Sequence, residues 1–211
     1  MSKVKQKTGY NIVRVVQSDR NCIKAMNVCS AMKREHLKEF ISDNRIQKMT
    51  WDKVFDRRED PKTGEFIWTR GENFDKFVQK HSIEGCEFKG KASTNQDGSK
   101  HHDLAVANHY CFNMTQEERD TARTEAQQRY EITEYANYLL RSDIEDERDK
   151  GQAIIDGLKD NTISMCDIAY TSSEGIEIGF EITTEYYTPE MTQAKADYCE
   201  IAGLTFVAQE I

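Results

Sequence analysis

Two acidic residues, Asp167 and Glu181, break the pattern of the segments that hold them. Residues Thr162 to Tyr170 and Gly175 to Thr183 read as strands, and the four residues between them, Thr171 to Glu174, suit a hairpin turn. In the second strand Ile176, Ile178, Phe180 and Ile182 share one face, while Glu177, Gly179, Glu181 and Thr183 share the other. With the turn at 171–174, Tyr170 pairs with Gly175 or Ile176. Asp167 then falls within a residue or two of Gly179, one to two pleats from Glu181. Carboxylates at that offset on one face can share a divalent cation. Hard oxygen donors with open positions suit Mg²⁺ or Mn²⁺, which activate water and stabilise a phosphoryl transition state. For Asp167 alone, an acid bonded to a backbone amide is an equal reading. A Glu between Phe180 and Ile182 in a central strand asks for a stronger reason.

The elements that must hold this pair follow from local signals. Thr188 can cap a helix with Pro189 in its first position, running to about Ala202 and stopped by Gly203. Leu204 to Gln209 reads as a final strand, so a strand, a helix and a strand imply a parallel crossover. Upstream, Thr115-Gln-Glu-Glu118 is a capping box. From it a single helix is expected to about Arg141, burying Ala122, Ala126, Tyr130, Thr133, Asn137 and Leu140, with Ile132, Tyr135 and Leu139 widening the face. The acidic stretch Asp143 to Asp149 reads as a solvated turn or helix end, and Gln152 to Leu158 fits strand or helix. Lys100 to Phe112 reads as a helix and Ala92 to Gly98 as a loop. That loop divides an N-terminal α+β lobe, residues 1–98, mostly helical and without an assigned role, from residues 99–211. In the lobe, residues 10–16 suggest a strand, Ser18 or Asp19 caps a helix to about Ile41, Phe66 to Trp68 a short strand and Glu72 to His81 a short helix.

Composition narrows the classes. The 211 residues carry a net charge of −8, which disfavours a polyanion partner unless a local basic surface provides for it. Lys3, Lys5 and Lys7, Lys33-Arg34, Arg57-Arg58, Lys89 and Lys91 are candidates for such a surface, although dispersed solvated charge is the simpler reading of each. No apolar run is long enough for a membrane span or signal segment, so a cytoplasmic chain with no membrane partner is expected. The six cysteines form no CxxC pair and read as buried thiols, Cys22 and Cys29 included. His101, His102, Asp103 and His109 form the one histidine cluster. They lack the i, i+4 His pair of a zincin-like site and read mainly as polar helix residues, with a supporting role near a phosphate as the alternative.

Asp167, Glu181 and the same-face Thr183 resemble the active-site pattern of the PD-(D/E)XK nuclease superfamily. The likeness covers roughly residues 115 to 211, and the segment Ala194-Lys-Ala-Asp-Tyr-Cys-Glu looks most like the competence CoiA-type branch. It implies an α/β (α+β) fold with a restriction-endonuclease-like core: a helix, a three- to four-stranded mixed sheet, a helix and a strand. It also implies a Mg²⁺- or Mn²⁺-dependent endonuclease acting on DNA, with Asp167 and Glu181 as metal ligands. Thr183 stands where the family places its lysine and can at most donate a hydrogen bond. The resemblance implies that Lys195, on the helix packed beside the Glu-bearing strand, replaces that lysine, the other reading being a side chain that reaches solvent. It further implies an acid from the preceding helix, for which Glu131 and Glu134 are available. A non-catalytic protein-binding or DNA-processing accessory protein on the same scaffold is the alternative function, and a homodimer is compatible with either.

Overall fold

The computed structural model describes residues 14–60, 63–90 and 97–211, as a mixed α+β structure with two sheets. The expected strand at 10–16 falls largely outside the described residues, as do Lys3, Lys5, Lys7, Lys62, Lys91 and most of the loop at 92–98. Val16 precedes α1 (Gln17–Cys29), where its amide donates to Asp19 Oδ2 at 2.9 Å. The helix expected to reach Ile41 ends instead at Ser30, whose φ of 62° is left-handed. The short β1 (Ala31–Lys33) and α2 (Arg34–Lys38) follow. The reason is burial: Ala31 and Met32 are drawn into a sheet against the apolar face of α1. Then come α3 (Asp43–Trp51), β2 (Phe55–Glu59), β3 (Phe66–Arg70) and α4 (Phe74–Lys80). The first sheet is antiparallel, ordered β1-β3-β2. Arg45 clamps Asp19 with two bonds of 2.6 and 2.7 Å, fixing α3 to the start of α1.

The second half starts with α5 (Asp97–Asn108), which ends in a π-helical turn at His109–Asn113. That turn lays the His109 ring flat on Phe180, 3.5 Å between centroids. The capping box at Thr115 is present, with Thr115 N 2.7 Å from Glu118 Oε2. The helix it starts is short, however. α6 (Gln116–Thr121) stops at extended Ala122, a two-residue β4 (Arg123–Thr124) joins the sheet, and α7 (Glu125–Leu140) begins anew on the Thr124 cap. The restart resets the helical phase, so α7 buries Gln128, Ile132, Ala136 and Leu139 and leaves Tyr130 exposed. The acidic stretch opens α8 (Glu145–Asp160), where three carboxylates sit favourably at the positive end of the helix dipole.

The second sheet is ordered β4-β5-β6-β7, with β5 (Ile168–Thr171) antiparallel to β6 (Glu177–Thr183) and β6 parallel to β7 (Thr205–Glu210) across α9 (Pro189–Ala202). Thr188 caps α9 and Gly203 ends it at φ 71°, as the sequence indicates. The hairpin register differs from the sequence expectation. Residues 172–176 form the connection, closed by Ser172 N to Ile176 O at 2.8 Å, so Tyr170 pairs with Ile178 and Ile168 with Phe180. One residue further, Asp167 faces Glu181 directly.

Both faces of this sheet are covered. Ile168, Tyr170, Phe180 and Ile182 join Cys22, Met26 and other N-terminal side chains in one apolar cluster, which crosses the boundary drawn at residue 98. On the other face Cys166, Tyr198 and Cys199 pack with Ile132, Ile154 and Leu158 of α7 and α8. No helix among the described residues is long and apolar enough to cross a membrane.

Candidate metal centre and cleft

Asp167 and Glu181 are laced together by the strand backbones. Asp167 N donates to Glu181 Oε2 at 2.9 Å, and Ile182 N donates to Asp167 Oδ2 at 2.9 Å. Each carboxylate is therefore held by a backbone amide beside the other, and Glu181 points to the α9 side of the sheet. Glu181 has no solvent exposure. Its Oε1 accepts from the Tyr187 hydroxyl at 2.6 Å and pairs with Lys195 Nζ at 2.9 Å. Lys195 also donates to Met165 O at 2.6 Å, so α9 delivers an ammonium group to the carboxylate pair. Gly179 allows this approach, because a Cβ there would overlap Cys199 Sγ and press on Cys166 Sγ.

A third donor arrives from α5. His102 Nε2 lies 3.0 Å from Asp167 Oδ2 but out of line for a hydrogen bond, and the nitrogen is buried with no hydrogen-bond partner. Its other nitrogen, Nδ1, is 3.7 Å from Asp103 Oδ1. One ligand atom from each of His102, Asp167 and Glu181 lies within 4.8 Å of the other two. With the His102 proton released, its nitrogen and the two carboxylates could together hold a divalent cation.

The electrostatics follow from burial and neighbouring charge. Burial pushes Glu181 up to about 7, with the like charge of Asp167 adding and Lys195 and Tyr187 opposing. Burial works against the charged His102, yet Asp103 and Asp167 outweigh it and raise the imidazole to about 10. Lys195 behaves similarly: desolvation disfavours its charge, and Glu181 and Asp167 more than restore it. Burial and the adjacent Glu181 push Tyr187 up, so its phenol stays a neutral donor. No family model, curated protein or solved structure matches this chain at a significant level.

The centre opens on a cleft of about 840 Å³ whose lining includes His101, Asp103, Glu125, Tyr186, Tyr187 and Lys195. Of the residues singled out by sequence, Asp167, Glu181 and Lys195 come together. Thr183 does not join them; it is half-buried at the end of β6, outside the cleft lining, its carbonyl accepting from Ile211 N at 3.0 Å. Glu131 instead accepts from Gln127 at 3.0 Å and pairs with Arg123, and Glu134 lies beside Asn137. Glu125, the first residue of α7, is the helix acid that reaches the cleft. The expectation of one helix from Thr115 hid it, because that reading places residue 125 mid-helix. His102 carried a signal in the His102-Asp103 dipeptide. Tyr187 carried none beyond its place five residues after Ile182. His109 lies on the other side of the sheet, and all six cysteines are buried free thiols.

Proposed function

We propose that this chain is a metal-dependent nuclease that hydrolyses DNA phosphodiester bonds. The observation that carries the reading is the convergence of Lys195 Nζ on Glu181, 2.9 Å away, beside an Asp167 and His102 pair that fits a cation. The order α7, β5, β6, α9, β7 supports a restriction-endonuclease-like core, with α8 as an addition to it. A bound divalent cation supplies Lewis acidity and an activated water. The imidazole donor favours Mn²⁺ over Mg²⁺, because nitrogen ligands suit the softer ion. Asp167 and Glu181, fixed by the strand amides, orient the site. Lys195, anchored on Met165 O and Glu181, lines the cleft, where its ammonium would meet the negative charge that develops on a phosphate.

The test is DNA cleavage with Mn²⁺ or Mg²⁺. Asp167→Ala and Lys195→Met should each lower the rate at least about 100-fold while thermal stability and circular dichroism stay those of a folded chain. Cleavage by both variants at the parent rate would falsify the reading. A second reading, a non-catalytic accessory protein on the same scaffold, draws on the commitment of Glu181 Oε1 to two internal donors. Calorimetry with no heat from Mn²⁺, even with DNA present, would favour it.

A further inference from the structure

The walls of the cleft are unevenly built. Among its described lining residues four acids, Asp103, Glu125, Asp167 and Glu185, stand against two cations, the Lys195 ammonium and the His102 imidazolium, and no guanidinium. Its rim is apolar and open: Tyr186 is 74% exposed, Ile211 49% and Met191 44%. All three line the same cleft, and backbone bonds tie the segments of Tyr186 and Ile211 together. Tyr187 N bonds Thr184 O at 2.9 Å, closing the turn after β6, and Ile211 N bonds Thr183 O at 3.0 Å, holding the end of β7 beside it.

A duplex is held mainly by Lys and Arg contacts to phosphates along both strands, and these walls supply almost none. An unpaired strand has another source of affinity, since each free base presents a π face to an aromatic side chain. We propose that the cleft takes single-stranded DNA, with a base stacked on Tyr186 and the backbone meeting the protein only at Lys195 and the carboxylate centre. The inference rests on the nuclease reading and names its substrate form. Apolar Met191 and Ile211 line the same cleft as Tyr186, surfaces on which bases can lie but phosphates gain nothing. The acidic walls reject a second strand by repulsion.

The experiment is fluorescence anisotropy of labelled oligodeoxythymidylate, and of its duplex with oligodeoxyadenylate, titrated with the full chain in Mn²⁺, with cleavage read on gels from the same samples. Single strand should bind at least about tenfold tighter than duplex. Its log K against log salt should be no steeper than about −1.5, the slope of two phosphate contacts at about −0.7 each. Tyr186→Ala should weaken single-strand binding about tenfold, whereas Tyr186→Phe should stay within about twofold, because the ring and not the hydroxyl stacks. Equal or tighter duplex binding, a steep salt slope, an unchanged Tyr186→Ala, or no binding of either DNA overturns the assignment. Single-strand binding without cleavage overturns the nuclease reading and keeps the strand assignment; cleavage with duplex preferred does the reverse.

Discussion

Glu181 stays in a dry site because three donors reach it: the Asp167 amide, the Tyr187 hydroxyl and the Lys195 ammonium. A lone buried carboxylate costs several kcal/mol, and this pairing offsets that cost. The same groups set a pH dependence whose sign can be worked out. His102 holds its proton up to about 10 in the folded chain against an ordinary 6.5. Between these values the folded state binds more protons than the unfolded one, so stability falls as pH rises, by at most about 1.4 kcal/mol per pH unit. At lower pH two effects oppose. Glu181, raised from 4.5 to about 7, loses stability with rising pH, while burial holds His109 down to about 4, which gains it. In the alkaline window the signs agree: burial also raises Cys22, Cys29 and Cys86 above the usual thiol value, so they add to the fall above about pH 8, and the fall below that belongs to His102. Thermal denaturation in chelator should show Tm falling from about pH 7 to about 9.5, and His102→Gln should flatten the fall. A parent Tm that stays level over that range contradicts this account.

At the scale of elements, the β6 and α9 pair decides whether the site exists. The helix carries Lys195, the strand carries Glu181, and Gly179 lets them approach until Cys199 Sγ and Cys166 Sγ stand 3.4 Å apart. Gly179→Ala should lower stability by about 1–3 kcal/mol through overpacking, and should lower the cleavage rate proposed above by lifting Lys195 from the carboxylates. Cys199→Ala removes the overlapping sulfur. In a double-mutant cycle of urea denaturations the pair should recover part of the loss, since residues in contact are not additive. Additive losses would mean that the helix does not bear on that glycine. This dependence was only half legible in sequence. Gly179 alternates with Glu177 and Glu181 on one face, but nothing local states which helix packs there.

For the molecule as a whole, the main apolar cluster joins Cys22 and Met26 to Phe180 and Ile182 together with Val106, Ala107 and Tyr110, so the core behind the site draws on residues from both sides of the boundary at 98. Residues 99–211 expressed alone should therefore show no cooperative thermal transition, while the full chain should melt in one. Two separate calorimetric transitions in the full chain would show independent lobes instead. The sequence by itself determined the features that rest on near neighbours. These are the α9 caps at Thr188 and Gly203, the capping box at Thr115, the alternation along β6, and the oddity of a Glu between Phe180 and Ile182. Where helices broke was another matter, because Ser30 and Ala122 leave the helix to let short strands pair with distant partners. Tertiary structure alone decided the hairpin register that sets Asp167 opposite Glu181, and the arrival of His102, Glu125 and Tyr187 at the same cleft. Those residues lie on α5, α7 and the β6 to α9 turn, and which side chains meet across such separations is settled by how these elements pack on the second sheet, which no local pattern encodes.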